Sequence, residues 1–229
     1  MRAFVVDGEA AVARLDGEER DVVATLIADV AVLLGAEHFS ESNDGDTSAQ
    51  GTGPPSDEDM IRESLAGIAD SVETPHDPAV LALLPHASKD DDALAQEFRR
   101  LTEHDMRNLK VARLKRMWEA LSAEESEWRV SLDEALPTAA ALTDVRLVLA
   151  SRLGVSTEDD AELLRMSIAT AIDSEEAPTD EGAAQRLWWG MVYESLGWLQ
   201  ESLLDALSFP DQEPDSHHDG DDTKGGDDV

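Results

Sequence analysis

The sequence predicts a mainly α protein, a helical bundle of about six to seven helices with a short N-terminal β-hairpin, an acidic disordered linker and an acidic disordered tail. Three observations carry this prediction. Leu- and Ala-rich stretches recur with an apolar spacing of three and four, and β-branched runs are few. Helix caps and stops punctuate these stretches at helical lengths. Two further stretches, 40–58 and 208–229, are dominated by acidic, Gly, Ser and Pro residues and have no apolar pattern.

The elements follow in order. Phe4-Val5-Val6 is β-prone, Asp7-Gly8 is a two-residue hairpin turn signal, and Ala10 to Arg14 returns as the second strand. Such a hairpin is marginal alone and must pack on helices. Asp16 and Glu19 form a capping box with Asp in the usual Ser/Thr place. The helix after it carries Val22, Val23, Leu26, Ile27, Val30, Leu33 and Leu34 on one broad face, and Gly35 ends it. After the linker a short helix is expected, with Met60, Ile61, Leu65 and Ile68 apolar. Asp77-Pro78 is an N-cap with Pro at the first helical position, and Pro85 stops that helix.

Asp90 to Asp92 cap a helix through Leu94, Phe98 and Leu101, with Phe98 and Leu101 expected in the core. Thr102 with Asp105 resembles another cap and predicts a break, then a helix to about Leu121. Ser131 with Glu134 predicts the cap of the next helix, which Pro137 either kinks or begins and Gly154 ends. In that helix Leu142, Val145, Leu149 and Leu153 form the apolar stripe, Arg146 and Arg152 flank it, and Asp144 lies away from it. Ser156 or Thr157 opens a helix to about Asp173, and the last helix runs from about Glu181 to Leu207. The expected organisation is thus hairpin and first helix over 1–39, linker over 40–58, bundle over 59–207 forming one domain with 1–39, and tail over 208–229.

Composition narrows the function classes. The net charge of −33 opposes phosphate backbones and anionic membranes and favours basic partners. The absence of cysteine removes disulfides, thiolate nucleophiles and thiol redox chemistry from this chain. No apolar run reaches the roughly 18 residues of a membrane span, and no signal peptide opens the chain, so a cytoplasmic location is expected. None of His38, His76, His86, His104, His217 and His218 sits in a metal-ligand spacing on a helix, and no HExxH, GxSxG, GxGxxG or P-loop pattern occurs. The expectation is a protein that is not an enzyme and has no cofactor or metal.

Two features stand out. Between 99 and 116, seven cations (Arg99, Arg100, Arg107, Lys110, Arg113, Lys115 and Arg116) face only Glu103 and Asp105. Either these cations lie along the core edge and pair with carboxylates on other helices, or they recognise DNA or an acidic protein. Arg107, Lys110 and Arg113 share an arc with Leu114, Trp118 and Leu121, which favours the first reading. Arg99 and Arg100, being adjacent, cannot both face the core.

The second feature is the last helix. Trp188, Met191, Val192, Ser195, Leu199, Leu203 and Ala206 form a stripe that Trp189, Tyr193, Leu204 and Leu207 widen. Such a helix is central in the core or shared with a partner or a second copy, with Trp189 and Tyr193 as candidate anchors.

The segments DPAVLALLP, EFRRLTEHDMRNLKVARL, LTDVRLVLASRLGV and YESLGWLQESLLDAL occur in that order. Together they resemble an actinobacterial family of small acidic helical proteins, first catalogued as a domain of unknown function, that includes the oxidative-stress transcriptional regulator AosR. The similarity runs from about Leu15 to Leu207. It implies a regulator of transcription working with a protein partner, RNA polymerase or a sigma factor. Redox sensing in that family is tied to a cysteine pair, and here the chain departs: only six Met and five Trp remain oxidisable. The alternatives are a DNA-binding regulator using the basic 99–116 helices, or a structural adaptor with no transcriptional role.

Overall fold

The computed structural model describes residues 1–36, 76–88, 90–122, 127–174 and 180–208. The expected linker over 40–58, the short helix with Met60 and Ile68, and the tail over 208–229 lie outside these residues, apart from Ser208. The described chain is mainly helical, with strands β1 (Arg2–Asp7), β2 (Ala10–Arg14) and β3 (Glu127–Ser131). The helices are α1 (Gly17–Leu33), α2 (Pro78–Leu83), α3 (Asp92–Ser122), α4 (Ala135–Leu153), α5 (Glu158–Asp173) and α6 (Glu181–Ser208).

The hairpin forms as expected, with Gly8 at φ 64° in the turn and Val5 opposite Val12. It is not two-stranded. β3 adds to the other edge of β2, placing Val130 opposite Ala11 and Trp128 opposite Ala13. The Glu-Trp-Arg-Val-Ser alternation of β3 sends Trp128 and Val130 inward, where Trp128 meets Phe4 edge-on at 5.0 Å. Pairing both edges of β2 satisfies its backbone groups, which a hairpin alone leaves half open.

Local signals explain most helix ends. Asp16 and Glu19 make the capping box of α1. Asp77 caps α2 by accepting from the Ala79 N–H at 2.8 Å. Thr157 caps α5, and Gly154 closes α4 at φ 72°. At the start of α5, the Asp160 carboxylate accepts from Ser156 N–H, Ser156 O–H and Thr157 N–H within 3.0 Å. These donors, the Ser156 backbone first, hold its carboxyl at about 2. Because the folded value lies below the ordinary 3.8, the cap's contribution is complete above 3.8 and is lost as pH falls through about 2. Protection of the 158–161 amides, measured against the intrinsic exchange rate at each pH, is expected to fall in that window, and Asp160→Asn is expected to weaken that fall.

Two cap assignments do not hold. Thr102 does not break the chain: its hydroxyl donates to the Phe98 carbonyl at 2.8 Å inside the single 31-residue helix α3. Nor does Ser131 cap α4. It ends β3, while Glu134 takes the N-cap place without a side-chain hydrogen bond. Pro137 falls in the first turn of α4, where its missing N–H costs nothing, so it marks a start and not a kink.

The main core joins Phe4, the inner faces of β2 and β3, and the apolar faces of α1, α2, α3, α4 and α6. A smaller cluster of Leu153, Leu164 and Ile168 joins α5 to α6. Gly190 is what lets these two helices close: a Cβ there would lie 2.9 Å from Leu164 Cδ1. The central position belongs to α4, which packs against α1, α2, α3, α6 and β3. The last helix, α6, packs mainly on α4, α5 and β1. Its Trp188, Trp198 and Leu204 stay exposed. Encirclement of α4 also adds to the placing of Asp144. Off the Leu142–Val145–Leu149 stripe, it is nonetheless buried, because α3 covers that second side.

Phe98 and Leu101 are likewise not core. They are 46% and 62% exposed, since the first turns of α3 turn Ala95, Arg99 and Glu103 inward instead.

Candidate functional site

The cations of the basic segment are spread over the inner and outer faces of α3, and most of them meet carboxylates. Arg99 and Glu103 are both buried, and Arg99 Nη1 donates to Glu103 Oε2 at 2.6 Å. Arg107, one turn further on, donates from Nε and Nη2 to Glu103 Oε1 at 3.0 and 2.7 Å. A third donation, from Arg107 Nη1 to the Leu34 carbonyl at 3.2 Å, caps the end of α1. The i−4 and i+4 spacing places both guanidiniums on one carboxylate.

Lys110 reaches across to Asp144 on α4, and Arg113 adds a second positive charge beside it. Burial pushes the Asp144 carboxyl above its ordinary value, a shift that the hydrogen bond from Lys110 and the charges of Lys110 and Arg113 only partly reverse. On the outer face Arg100 pairs with Glu97 at 2.7 Å and Arg116 with Glu134 at 3.0 Å. Arg99 inside and Arg100 outside fit the expectation that both cannot face the core. The cations therefore tie α3 to α1 and α4 and fix their register, while Arg100, Lys115 and Arg116 keep the exposed positions.

The flanking arginines of α4 behave similarly. Arg152 makes a two-pronged pair with Asp77 at 3.1 and 2.6 Å, joining α4 to the cap of α2. Arg146 donates to Gln200 at 2.9 Å and lies 5.1 Å from the Tyr193 ring centre. Gly197 makes room for that guanidinium: a Cβ there would meet Arg146 Nη2 at 3.0 Å.

Trp189 and Tyr193, the expected outward anchors, are half-buried and pack against both clusters. They are joints between α4, α5 and α6. The outward indoles of this helix are Trp188 and Trp198, 40% and 46% exposed. Their positions, with Met191 and Ser195 between, follow the i, i+3, i+7, i+10 spacing of one helix stripe. Trp198 escaped the sequence reading because the stripe drawn there, through Trp188, Met191, Val192 and Ser195, was continued to Leu199 and Leu203, which are buried.

Two concavities flank these elements. A cleft of about 490 Å³ lies between α1, α4 and the start of α6, with Leu26, Val30, Leu149 and Trp189 as apolar walls and Asp29 and Arg186 among its polar residues. A groove of about 370 Å³ runs between the first turn of α1 and the outward stripe of α6. It contains Val22, Met191 and Val192, and both exposed indoles line it. Among the described residues no group of three His, Asp or Glu is placed to hold a metal ion, and no helix is long and apolar enough to cross a membrane.

No curated protein and no solved structure matches the chain. The family model of a domain of unknown function, DUF2017, matches residues 1–207, so it takes in the hairpin as well as the helices and stops one residue before the end of α6. By that match, over nearly the whole described chain, this protein belongs to the domain-of-unknown-function family DUF2017.

Proposed function

We propose that this protein is a non-enzymatic regulator of transcription that acts through a protein partner, RNA polymerase or a sigma factor, without cysteine-based sensing. The process comes from the resemblance to the family of AosR. The mode of action rests on one observation: Arg99, Arg107 and Lys110, within the one basic island in a chain of net charge −33, are engaged with carboxylates of the same fold. That pairing favours a protein partner over a DNA-binding reading of Arg107 and Lys110. An acidic surface suits a basic protein surface, and its attraction acts mainly on the association rate.

Purified RNA polymerase holoenzyme, immobilised and titrated with the full chain by interferometry, tests the proposal. Binding is expected, with an association rate that falls several-fold as salt rises from about 50 to 300 mM and the Debye length shortens. A gel shift of promoter DNA by the protein alone is not expected. Absence of polymerase and sigma-factor binding would move the protein to the adaptor class. A DNA shift abolished by Arg100→Glu with Arg116→Glu would restore the DNA reading.

A further inference from the structure

We infer that the groove between the first turn of α1 and the Trp188–Trp198 stripe of α6 binds a basic amphipathic helix of a partner protein. This rests on the protein-partner reading above and adds the surface and the chemistry of its occupant.

The groove has the form a helix face needs. Trp188 and Trp198 are ten residues apart, roughly 15 Å or about three turns along α6. That length matches the i, i+3/i+4, i+7 anchors of a helix laid in a groove. Met191 and Val192 of α6 and Val22 of α1 supply apolar surface between the indoles. Trp128, by contrast, is fully buried, so an outward indole is not the general fate of tryptophan in this fold. Two exposed indoles on one stripe are costly to leave in water, and tryptophan is the side chain that most often dominates binding energy at interfaces. A volume of about 370 Å³ takes a few side chains from one helix face.

Charge chooses the occupant. The charged side chains that line the groove are Glu18 and Glu19. Glu19 is engaged by the amino group of Met1 and by the Asp16 N–H, which leaves the exposed Glu18 facing an incoming partner. A second copy of this chain would bring another −33 to the contact. A helix with Leu-type anchors and Lys or Arg at its rim gains both the apolar contact and the attraction.

The test uses the full chain and two labelled peptides of about 15 residues, long enough for the three-turn stripe. One is an amphipathic Leu/Lys helix, and its match has Glu in place of every Lys. Fluorescence anisotropy is expected to show binding of the Lys peptide and none of the Glu peptide. Trp188→Ala with Trp198→Ala is expected to weaken the Lys peptide roughly tenfold or more, the effect of losing two anchors. Glu18→Lys, which leaves α6 untouched, is expected to weaken it several-fold and serves as the independent arm, with circular dichroism confirming the fold of each variant. Equal affinity of wild type and the folded double-Trp variant would overturn the inference, because the peptide would then be held by overall charge alone. Binding of the Glu peptide as tightly as the Lys peptide would overturn it too.

The two proposals fail separately. Polymerase binding by wild type that survives the double-Trp substitution removes the groove as the contact and leaves the regulator reading in place. Trp-dependent peptide binding by a protein that ignores polymerase keeps the groove and removes the polymerase reading.

Discussion

Glu103→Ala is expected to cost about 3–5 kcal/mol, because it strands buried charge. Glu103 is 3% exposed and Arg99 is 7% exposed, and the carboxylate is the partner of two guanidiniums. Without it Arg99 remains inside with no counter-charge at its former distance of 2.6 Å. Arg107, half-exposed, turns to water or keeps only its bond to the Leu34 carbonyl. The penalty is therefore mostly that of Arg99.

A second variant separates this account from simple loss of packing. Arg99→Met with Glu103→Leu removes both ions and leaves apolar side chains of similar bulk. It is expected to recover most of the stability and to sit within about 1–2 kcal/mol of wild type. Denaturant unfolding of the three proteins, followed by far-ultraviolet circular dichroism, reads the result. A double variant as unstable as Glu103→Ala would show that the ion pair itself, and not the stranded charge, carries the stability.

Trp128→Ala is expected to cost about 3–5 kcal/mol, the range for truncating a large aromatic in a packed core. The side chain is fully buried, meets Phe4 at 5.0 Å, and holds β3 beside Ala13 of β2. Its loss opens a cavity where sheet and helices meet. The indole N–H is buried with no hydrogen-bond partner among the described residues, so Trp128→Phe gives up less: it loses ring area but also an unsatisfied donor. The midpoint in denaturant is expected to fall for both, further for Ala, with the slope unchanged. A Phe variant as unstable as the Ala variant would show that the indole nitrogen has a role the packing does not explain.

What could be read from the sequence was local. Asp16 with Glu19, Asp77-Pro78, Gly154 and Thr157 act within a few residues of themselves, so their caps and stops were legible and four helix ends fell in place. Apolar periodicity gave the inner faces of α1 and α4 because a stripe at helical spacing buries whatever it is packed against. The pairing of the basic segment was half legible: Arg99, Glu103 and Arg107 stand four apart, a spacing visible in the letters.

The tertiary structure decided what depends on distant chain. β3 exists because the free edge of β2 needs a partner, and its five residues carry no turn or propensity signal strong enough to outweigh the cap-like Ser131 and Glu134 beside them. Thr102 looked like a break, but Glu103 bonds on both sides of it bridge the position within one helix. Asp144 is buried because α3 lies over α4 and brings Lys110 to it, a meeting 34 residues apart in sequence. The same holds for the indoles of α6. Composition determines that this helix is apolar nearly all round, and only the packing of α4, α5 and β1 determines that Trp189 is half-buried while Trp188 and Trp198 are exposed. A helix's own sequence sets its period, but which arc is covered depends on how many neighbours arrive and from where, and that is a property of the whole chain.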